Sequence, residues 1–403
     1  MQMPSGHIPP LFAFGSNGSG QLGIGHDEDV PVPTRCIFET ESSPPPPPPP
    51  PPPQSGTGTG TGTENEHGMK ARVSRIAAGG NHTLVLLDDG RVYVAGWGSF
   101  VFKRVFVTDP EGGKEVGLFK DVCATWEGSA LVASDQAKKR IYVFGSGAKG
   151  ELGLGPETTR ALETGSTVPG FLSQGDGEGV VSVAAGMGHV VVVCSDGGVF
   201  GWGAARKGQL GERLLGEKIV WEPRRIEDIP FKVQNAVCGR EFTVLCGDSE
   251  KGEVMVLGPW DAKSRNGEDA NKDKWGIRAG IPGFDSVRGY RGICASWHGV
   301  YIHQEDHSVL AWGRNDRGQI PPSELQGVKE VGIGSEHGLA LLENGNVVAF
   351  GWGEHGNCGP DTDDQGDVKG TASSIPLPGD GEGLEVVGVG AGCATSWIVA
   401  SDT

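Results

Sequence analysis

The sequence lacks long apolar runs, and no stretch approaches the ~18 apolar residues that a membrane-spanning helix needs. Its opening, MQMPSGHIPP, has neither a basic segment nor an apolar core, so no secretory signal is evident. None of the eight cysteines lies in a C-x-x-C pair, which argues against zinc-ribbon and thioredoxin motifs. We expect free thiols in a reducing compartment, in the cytoplasm and also the nucleus, without membrane association.

Basic residues are also scarce, with 34 Lys and Arg against 51 Asp and Glu and a net charge of −17. Such a chain neutralises phosphate poorly, so direct nucleic-acid binding is not expected. Glycine, by contrast, is abundant, at 69 of 403 residues. Because glycine is costly inside helices, this excess argues against a mostly helical protein.

A repeated unit organises the chain. Residues 73–98 read VSRIAAGGNHTLVLLDDGRVYVAGWG, in which apolar runs flank a small-residue patch, a histidine and an Asp-Gly hairpin signal. The unit recurs at 180–203 and 329–353, and more weakly at 119–145, 231–258 and 285–313. It predicts consecutive antiparallel strands. The units end in aromatic-Gly pairs, namely Trp97-Gly98, Phe144-Gly145, Trp202-Gly203, Trp312-Gly313 and Trp352-Gly353, with Leu257-Gly258 as a degenerate copy.

The two ends of the chain are half units. The opening LFAFGSNGSGQLGIG matches the end of a repeat, with Phe14-Gly15 as its aromatic-Gly pair, and the closing LEVVGVGAGCATSWIVASDT matches a beginning. Joined, they complete a seventh unit and remove the exposed sheet edge. We therefore predict an all-β fold, a seven-bladed β-propeller over residues 1–403 closed by pairing of the N- and C-terminal strands.

Two segments interrupt the repeats. Residues 39–69 contain ten consecutive prolines followed by a Gly-Thr-rich stretch, which cannot build a core. We predict a disordered insertion there, either a tolerated linker or a ligand for a proline-binding partner. Residues 261–276 form a charged insertion that we predict to be a second exposed loop.

No catalytic or metal-binding constellation can be assembled from the sequence. His82, His189 and His337 occupy the same register of three units, which favours structural hydrogen bonds, each mainly within its own blade. Gly18-x-Gly20-x-x-Gly23 matches a dinucleotide fingerprint, but no helix can follow it, so we interpret it as a structural loop. We expect a protein that is not an enzyme and needs no cofactor.

The ten tryptophans divide into two groups. Trp97, Trp202, Trp312 and Trp352 fill the repeat position and, with Trp397, are predicted core residues. Trp126 and Trp297 are off pattern: each follows the unit's small residues, and the histidine position becomes Gly128 or Gly299. We expect these two rings near the rim of the central shaft, either as interface anchors or as packing that replaces the lost histidine. The candidate partner-binding residues are Trp126, Glu127, Trp221, Arg240, Trp260, Trp297 and His298.

The units resemble the regulator-of-chromosome-condensation repeat family, which implies a seven-bladed propeller. The resemblance rests on Ala78-Gly79-Gly80-Asn81-His82-Thr83, on the aromatic-Gly strand ends and on a G-x-L-G loop found at 20–23, 150–153 and 208–211. It covers nearly the whole chain outside the insertions. A plant ultraviolet photoreceptor of this family carries Gly-Trp-Arg-His-Thr repeats, but no arginine follows the Gly-Trp pairs here, so such photochemistry is not expected.

Within the family, the opening FAFGSNGSGQLGIGHDEDVPVPT and the acidic charge look most like the fungal α-tubulin suppressor, or killer-toxin-insensitivity, group. That resemblance implies a non-catalytic heterodimer partner of the small CSL-type zinc/iron diphthamide-biosynthesis protein. It further implies support for diphthamide formation and, through an indirect link to Elongator, for wobble-uridine modification of tRNA. The alternative, by analogy with the family's founding member, is guanine-nucleotide exchange on a Ran-type GTPase.

Overall fold

The computed structural model describes residues 8–39, 71–109, 113, 115–134, 140–169, 179–259, 273–377 and 383–402. Within these ranges the chain is almost entirely β-structure, with short 3-10 turns at Glu212–Glu217, Ser249–Lys251 and Phe284–Ser286. The first strands are β1 (Leu11–Gly15), β2 (Val30–Arg35), β3 (Val73–Ala78), β4 (His82–Leu87), β5 (Val92–Gly96), β6 (Ser99–Arg104), β7 (Val107–Thr108), β8 (Glu115–Val116), β9 (Phe119–Ala124), β10 (Gly128–Ala133), β11 (Ile141–Ser146), β12 (Arg160–Thr167), β13 (Val180–Ala185) and β14 (His189–Cys194). The following strands are β15 (Val199–Ala204), β16 (Ile219–Ile226), β17 (Asn235–Cys238), β18 (Thr243–Cys246), β19 (Val254–Leu257), β20 (Tyr290–Ala295), β21 (Gly299–Gln304), β22 (Val309–Gly313), β23 (Val328–Ile333), β24 (His337–Leu342), β25 (Val347–Trp352), β26 (Asp367–Ser374), β27 (Leu384–Ala391) and β28 (Thr395–Asp402).

Seven antiparallel sheets form the blades of a β-propeller. Blade 1 contains β27, β28, β1 and β2; blade 2 contains β3–β6; blade 3 contains β9–β12; and blade 4 contains β13–β16. Blades 5, 6 and 7 contain β17–β19, β20–β22 and β23–β26. A separate two-stranded ribbon, β7 with β8, lies between blades 2 and 3 in the chain. The predicted all-β, seven-bladed architecture is confirmed.

Blade 1 joins the two ends of the chain. Strand β1 pairs antiparallel with β28, with Leu11 opposite Val399 and Gly15 opposite Thr395. This is the predicted closure. The pairing covers the edges that β1 and β28 would otherwise expose to another strand.

The first strand of every blade faces the central shaft, because these strands contact one another in succession around the ring. The loops between first and second strands therefore gather at one end of the shaft. We call this loop set the upper rim; it comprises residues 79–81, 125–127, 186–188, 239–242, 296–298, 334–336 and 392–394. The opposite end of the shaft is the lower mouth.

The hydrophobic core lies between blades rather than in one central mass. One buried cluster joins Leu11 and Trp397 of blade 1 to Val85 and Phe102 of blade 2. Similar clusters join blades 2 and 3, blades 3 to 5, blades 5 and 6, and blades 7 and 1. The second strands β4, β10 and β14 are buried along their whole length, since each is covered by a neighbouring blade on either side.

The tripeptide Gly-Trp-Gly adopts two different registers. In blade 4 its second glycine, Gly203, pairs with the repeat histidine His189. In blade 2 its first glycine, Gly96, pairs with His82. The predicted Trp97-Gly98 ending is therefore wrong by two residues.

Blade 7 shows the same shift. His337 pairs with Gly351, so the aromatic-Gly pair of this blade is Phe350-Gly351 rather than Trp352-Gly353. The shift also contradicts the prediction that Trp97 and Trp352 are core residues, since Trp352 is only half-buried. Strand β5 ends at Gly96, Trp97 has a φ of 51°, and 43% of its surface is exposed.

The repeat histidines connect neighbouring blades. His82 Nε2 lies 2.7 Å from Ser129 Oγ, His189 Nε2 lies 3.0 Å from Thr243 Oγ1, and His337 Nε2 lies 2.9 Å from Ser396 Oγ. Each hydroxyl belongs to the next blade, so the expectation of bonds mainly within one blade is wrong. The structural role itself is confirmed.

The glycine-rich loop after β1 leads into no helix, as expected for a structural loop. Gly20 and Gly23 have φ angles of 77° and 65°, which favour glycine, and Leu22 between them is fully buried. Residues 40–69 of the predicted insertion lie outside the described residues. So do residues 261–272 of the charged insertion and the candidate residue Trp260.

Candidate protein-interaction site

All seven blades contribute to a small cavity of about 150 Å³ at the upper rim. Its lining is mostly glycine and alanine, because the inner strands crowd together around the shaft. Trp126 and Trp297 are the two large aromatic exceptions in this lining. Both were expected at the rim from their place in the repeat, and both are half-buried there.

The two rings meet across the shaft. Trp126 comes from blade 3 and Trp297 from blade 6, yet their ring centroids are 5.9 Å apart at an interplanar angle of 41°. Trp126 also lies against Gly80 of blade 2, where an added Cβ would stand 2.5 Å from indole Cε2. The pair narrows the shaft at this end and presents a continuous aromatic surface.

The rim backbone holds these rings in place through hydrogen bonds between adjacent blades. The bonds run from Gly80 N to Trp126 O (2.8 Å), Trp126 N to Met187 O (3.0 Å), Arg240 N to Trp297 O (3.1 Å), Trp297 N to Ser335 O (2.9 Å) and Ser335 N to Gly392 O (2.9 Å). Both tryptophans donate and accept in this series. Their backbone positions are therefore fixed by neighbours on either side.

The rings do not fill the space of the missing histidines. Gly128 and Gly299 take the ladder position of the repeat histidine, opposite Gly145 and Gly313. The atoms nearest a Cβ built on Gly128 belong to Thr125, Ser146 and Leu152, and those nearest one on Gly299 belong to Ser296 and Tyr301. Local packing that compensates for the histidine is therefore provided by other side chains, not by the tryptophans.

The rim tryptophans differ in hydrogen bonding from two buried structural ones, although the buried Trp397 Nε1 also lacks an acceptor. Trp202 Nε1 donates to Glu151 O at 2.8 Å and Trp312 Nε1 donates to Ile277 O at 2.9 Å. Within the described part of the chain, the indole N–H groups of Trp126 and Trp297 have no acceptor. A half-exposed ring with an unused donor suits a protein interface.

Arg240 completes the aromatic surface. Its guanidinium carbon lies 5.1 Å from the centroid of the Trp297 ring, within cation–π range. Glu127 follows Trp126 and is exposed. We call Trp126, Arg240 and Trp297 the aromatic rim cluster.

A polar network adjoins this cluster between blades 6 and 7. His298 Nδ1 lies 2.7 Å from Glu336 Oε1, which also accepts from Arg314 at 3.1 Å. Gln319 Nε2 donates to the other carboxylate oxygen at 2.9 Å. Burial alone would raise the pKa of Glu336, but the hydrogen bonds from His298 and Gln319 outweigh it and lower that pKa below its usual value.

The sequence prediction included His298 but missed Glu336, Arg314 and Trp275, whose ring lies 5.1 Å from the Arg314 guanidinium. One signal was available. Glu336 precedes the repeat histidine His337 just as His298 precedes Gly299, so the two occupy equivalent places in neighbouring blades. Their contact follows from the ring, which sets equivalent positions side by side.

Trp221 does not belong to this surface. It lies on the outer strand β16, where its carbonyl accepts from Gly155 N at 3.0 Å and its ring lies beside Gly150. The hypothesis that the off-pattern tryptophans share one face therefore holds for Trp126 and Trp297 but not for Trp221. Outer strands are far from the shaft in any propeller, and the repeat pattern alone does not show this.

Across the described ranges, no group of three or more His, Cys, Asp and Glu side chains is arranged to hold a metal ion. All eight cysteines are free. No helix in the described part of the chain has the length and apolar character needed to cross a bilayer.

Comparison with known proteins places these repeats. The Regulator of chromosome condensation (RCC1) repeat matches residues 10–44, 73–100, 139–193, 196–246 and 328–357. Five segments of the chain thus carry repeats of the RCC1 family. It is 28% identical to an RCC1 repeat-containing protein of Schizosaccharomyces pombe, over 97% of this chain and 99% of that protein.

Two further similarities cover nearly the whole RCC1-repeat chain. It is 24% identical to the secretion-regulating guanine nucleotide exchange factor of Mus musculus, over 95% of this chain and 82% of that protein. The crystal structure of Prp20p from Saccharomyces cerevisiae superposes with a TM-score of 0.65 at 17% identity, over 98% of this chain and 92% of that one. At this identity the structural likeness shows the shared fold.

Proposed function

We propose that this RCC1-repeat chain is a non-catalytic interaction module that binds a partner protein at its upper rim. The observation that carries the proposal is the meeting of Trp126 and Trp297 across the shaft, with both rings half-exposed and both indole donors unused. Tryptophan and arginine are the residue types most enriched among the dominant contacts of protein interfaces. The aromatic rim cluster supplies both in one place.

Rigidity supports this role. The backbone bonds that link neighbouring blades fix both rings before a partner arrives. A surface ordered in advance loses little conformational entropy on binding, so more of its contact energy appears as affinity. The adjacent network of His298 and Glu336 adds polar groups at the edge of the aromatic surface.

The finer proposal concerns the partner. The resemblance of the opening residues to the fungal α-tubulin suppressor group points to the small CSL-type zinc/iron diphthamide-biosynthesis protein, bound as a heterodimer. In that role the propeller positions its partner for diphthamide formation and for Elongator-dependent tRNA modification. Any metal belongs to the partner, and the net charge of −17 fits a role in which the propeller itself does not contact RNA.

A second candidate is guanine-nucleotide exchange on a Ran-type GTPase. It is favoured by the mouse relative, which is named as a secretion-regulating guanine nucleotide exchange factor. Nucleotide release from a purified Ran-type GTPase, measured with and without this chain, separates the two candidates. The interaction-module proposal expects no acceleration of release.

Calorimetric titration of the purified diphthamide-biosynthesis protein into the full chain tests the leading proposal. We expect Trp126→Ala and Trp297→Ala each to weaken binding by about 2 kcal/mol or more while leaving the thermal midpoint nearly unchanged. Trp221→Ala is the matched control, because it removes the same ring from an outer strand and should leave affinity intact. Unaltered affinity in both rim variants would remove these residues from the interface.

A further inference from the structure

Three cavities follow one another along the central shaft, from the aromatic rim cluster to the lower mouth. The cavity at the upper rim has a volume of about 150 Å³, a middle section has about 390 Å³, and the lower mouth has about 540 Å³. The middle and lower sections share Arg75, Ile76, Cys294 and Ile333 in their linings. The cavity at the tryptophan pair is thus the smallest of the three, and the cavity at the lower mouth is the largest.

The lower mouth has the size and lining of a small-molecule site. Pockets for small ligands usually measure about 300–1,000 Å³ and combine apolar walls with a few polar groups. Its apolar walls come from blades 2, 7 and 1 and include Ile76, Val331, Ile333, Val387 and Val389. The charged residues in its lining are Arg72, Arg75, Glu330 and Asp402, of which Arg72 and Asp402 are exposed.

The two half-buried charged residues of this lining, Arg75 and Glu330, differ in how their charges are compensated. Arg75 forms an ion pair with Asp121, whose carboxylate also accepts the backbone N–H groups of Val122 and Val183 at 2.9 Å. Glu330 has a single described hydrogen bond, from Val389 N at the long distance of 3.4 Å. Within the described ranges, no lysine, arginine or histidine forms a salt bridge with Glu330.

Burial makes this carboxylate costly. It raises the pKa of Glu330 above its usual value, and the bond from Val389 offsets that only in part. Glu330 is half-buried, and besides the bond from Val389 only the charge of Lys329 favours its ionised form. A partly buried carboxylate of this kind is stabilised by a cation that brings its own apolar surface. An ammonium group offers three donors and no acceptor, which matches an acceptor-only carboxylate.

We propose that the lower mouth binds a small ligand that carries one primary ammonium group on an apolar body, with the ammonium at Glu330. The apolar body packs against Ile76, Val331 and Val389. This site lies at the opposite end of the shaft from the aromatic rim cluster and goes beyond the interaction role proposed above.

Phenethylamine is a suitable probe, with 2-phenylethanol and 3-phenylpropionate as its neutral and anionic counterparts. We expect calorimetry on the full chain to show binding of phenethylamine, at least tenfold weaker binding of the alcohol, and none of the acid. Glu330→Gln should weaken phenethylamine binding at least tenfold. Glu385→Gln, an exposed change on the same strand as Val389, is the matched control and should leave it unchanged.

A second variant keeps the test independent of the carboxylate. Val387 lines the cavity and is 39% exposed, so Val387→Trp can occupy the mouth and should abolish phenethylamine binding. Equal binding of amine and alcohol, or undiminished amine binding by Glu330→Gln, would overturn the proposal. Partner affinity at the upper rim should be the same in Glu330→Gln and the unmodified chain. The amine measurements therefore test the lower mouth alone, and the partner measurements test the upper rim alone.

Discussion

At the scale of single residues, the site depends on glycines as much as on tryptophans. Trp126 can lie across the rim because Gly80 offers no side chain in its path. Gly128 and Gly299 stand where other blades have a buried histidine, and the tryptophans just before them point into the shaft instead. The repeat thus places a histidine that bonds to the next blade in some blades, and a half-exposed tryptophan at the rim in others.

One prediction follows for Gly80. The backbone at this position is not left-handed, so Gly80→Ala introduces only a Cβ, 2.5 Å from the Trp126 ring. We expect the ring to be displaced, its fluorescence to become more accessible to iodide quenching, and partner affinity to fall at least tenfold. Gly188→Ala is the control, because its nearest neighbour would be at an ordinary 3.6 Å. An unchanged affinity in Gly80→Ala would contradict this arrangement.

The buried histidines make stability sensitive to acid. Burial lowers the pKa of His82 to about 3 and the pKa values of His189 and His337 to about 4. In the unfolded chain a histidine titrates near pH ~6.5, so between that pH and about 4 only the unfolded state binds the proton. Stability is therefore complete above pH ~6.5 and falls as the pH falls.

We expect each of these histidines to reduce the free energy of unfolding by about 2 kcal/mol at pH 5 relative to pH 7.5. Urea unfolding at the two pH values measures this. A His189→Gln variant should show a smaller difference between the two pH values than the unmodified chain, since glutamine does not titrate. An identical difference would show that His189 is not held neutral by burial.

At the scale of strands and blades, register decides which residue of a short motif is structural. In blade 2 the ladder glycine is Gly96, with a φ of 107°, and an added Cβ would lie 2.3 Å from Asn81 O. Gly98, which the sequence pattern favoured, also has a positive φ of 89° but has nothing within 4 Å. Both glycines have a positive φ, which would strain any other residue, and they differ in the space around them.

Substitution at these two glycines tests the register. Both Gly96→Ala and Gly98→Ala incur the ~1–3 kcal/mol cost of a left-handed non-glycine residue. Only Gly96→Ala adds a clash with backbone, so we expect it to lose at least about 2 kcal/mol more of unfolding free energy. Urea denaturation compares the pair. Equal losses would contradict the observed register, and a larger loss in Gly98→Ala would favour the register inferred from sequence.

At the scale of the whole molecule, stability depends on closing the ring. The core is divided among clusters at blade boundaries, and blade 1 contributes to two of them through β1 and β28. Loss of one strand there exposes both clusters and creates two free edges.

A truncation that removes β28 tests closure. We expect deletion of residues 394–403 to abolish the single cooperative thermal transition and to cause aggregation, as measured by calorimetry and light scattering. Deletion of 41–66, which the sequence predicts to be part of a dispensable insertion, should leave both the thermal midpoint and partner affinity unchanged. A cooperative transition in the first variant would contradict the dependence on closure, and a large loss in the second would contradict the linker interpretation.

The repeat pattern was sufficient for the fold because a propeller blade is a local structure. Each unit carries its own turn signals and alternating apolar runs, and half units at both ends indicate closure. The pattern also placed Trp126 and Trp297 at the rim. Equivalent positions of the repeats lie at the same distance from the shaft axis, because the blades are arranged in a ring. It failed for Trp97, because Gly-Trp-Gly fits two registers and only strand pairing selects between them.

The sequence by itself determined the number of blades, the closure of blade 1 and the rim position of two tryptophans, because these depend on local strand signals and their order. Only the tertiary structure decided what crosses the shaft or a blade boundary. The contact of Trp126 with Trp297 and the bond between His298 and Glu336 each join two blades. The cavity that contains Glu330 is likewise lined by residues of several blades. Such contacts depend on the diameter and curvature of the ring, which no single repeat encodes.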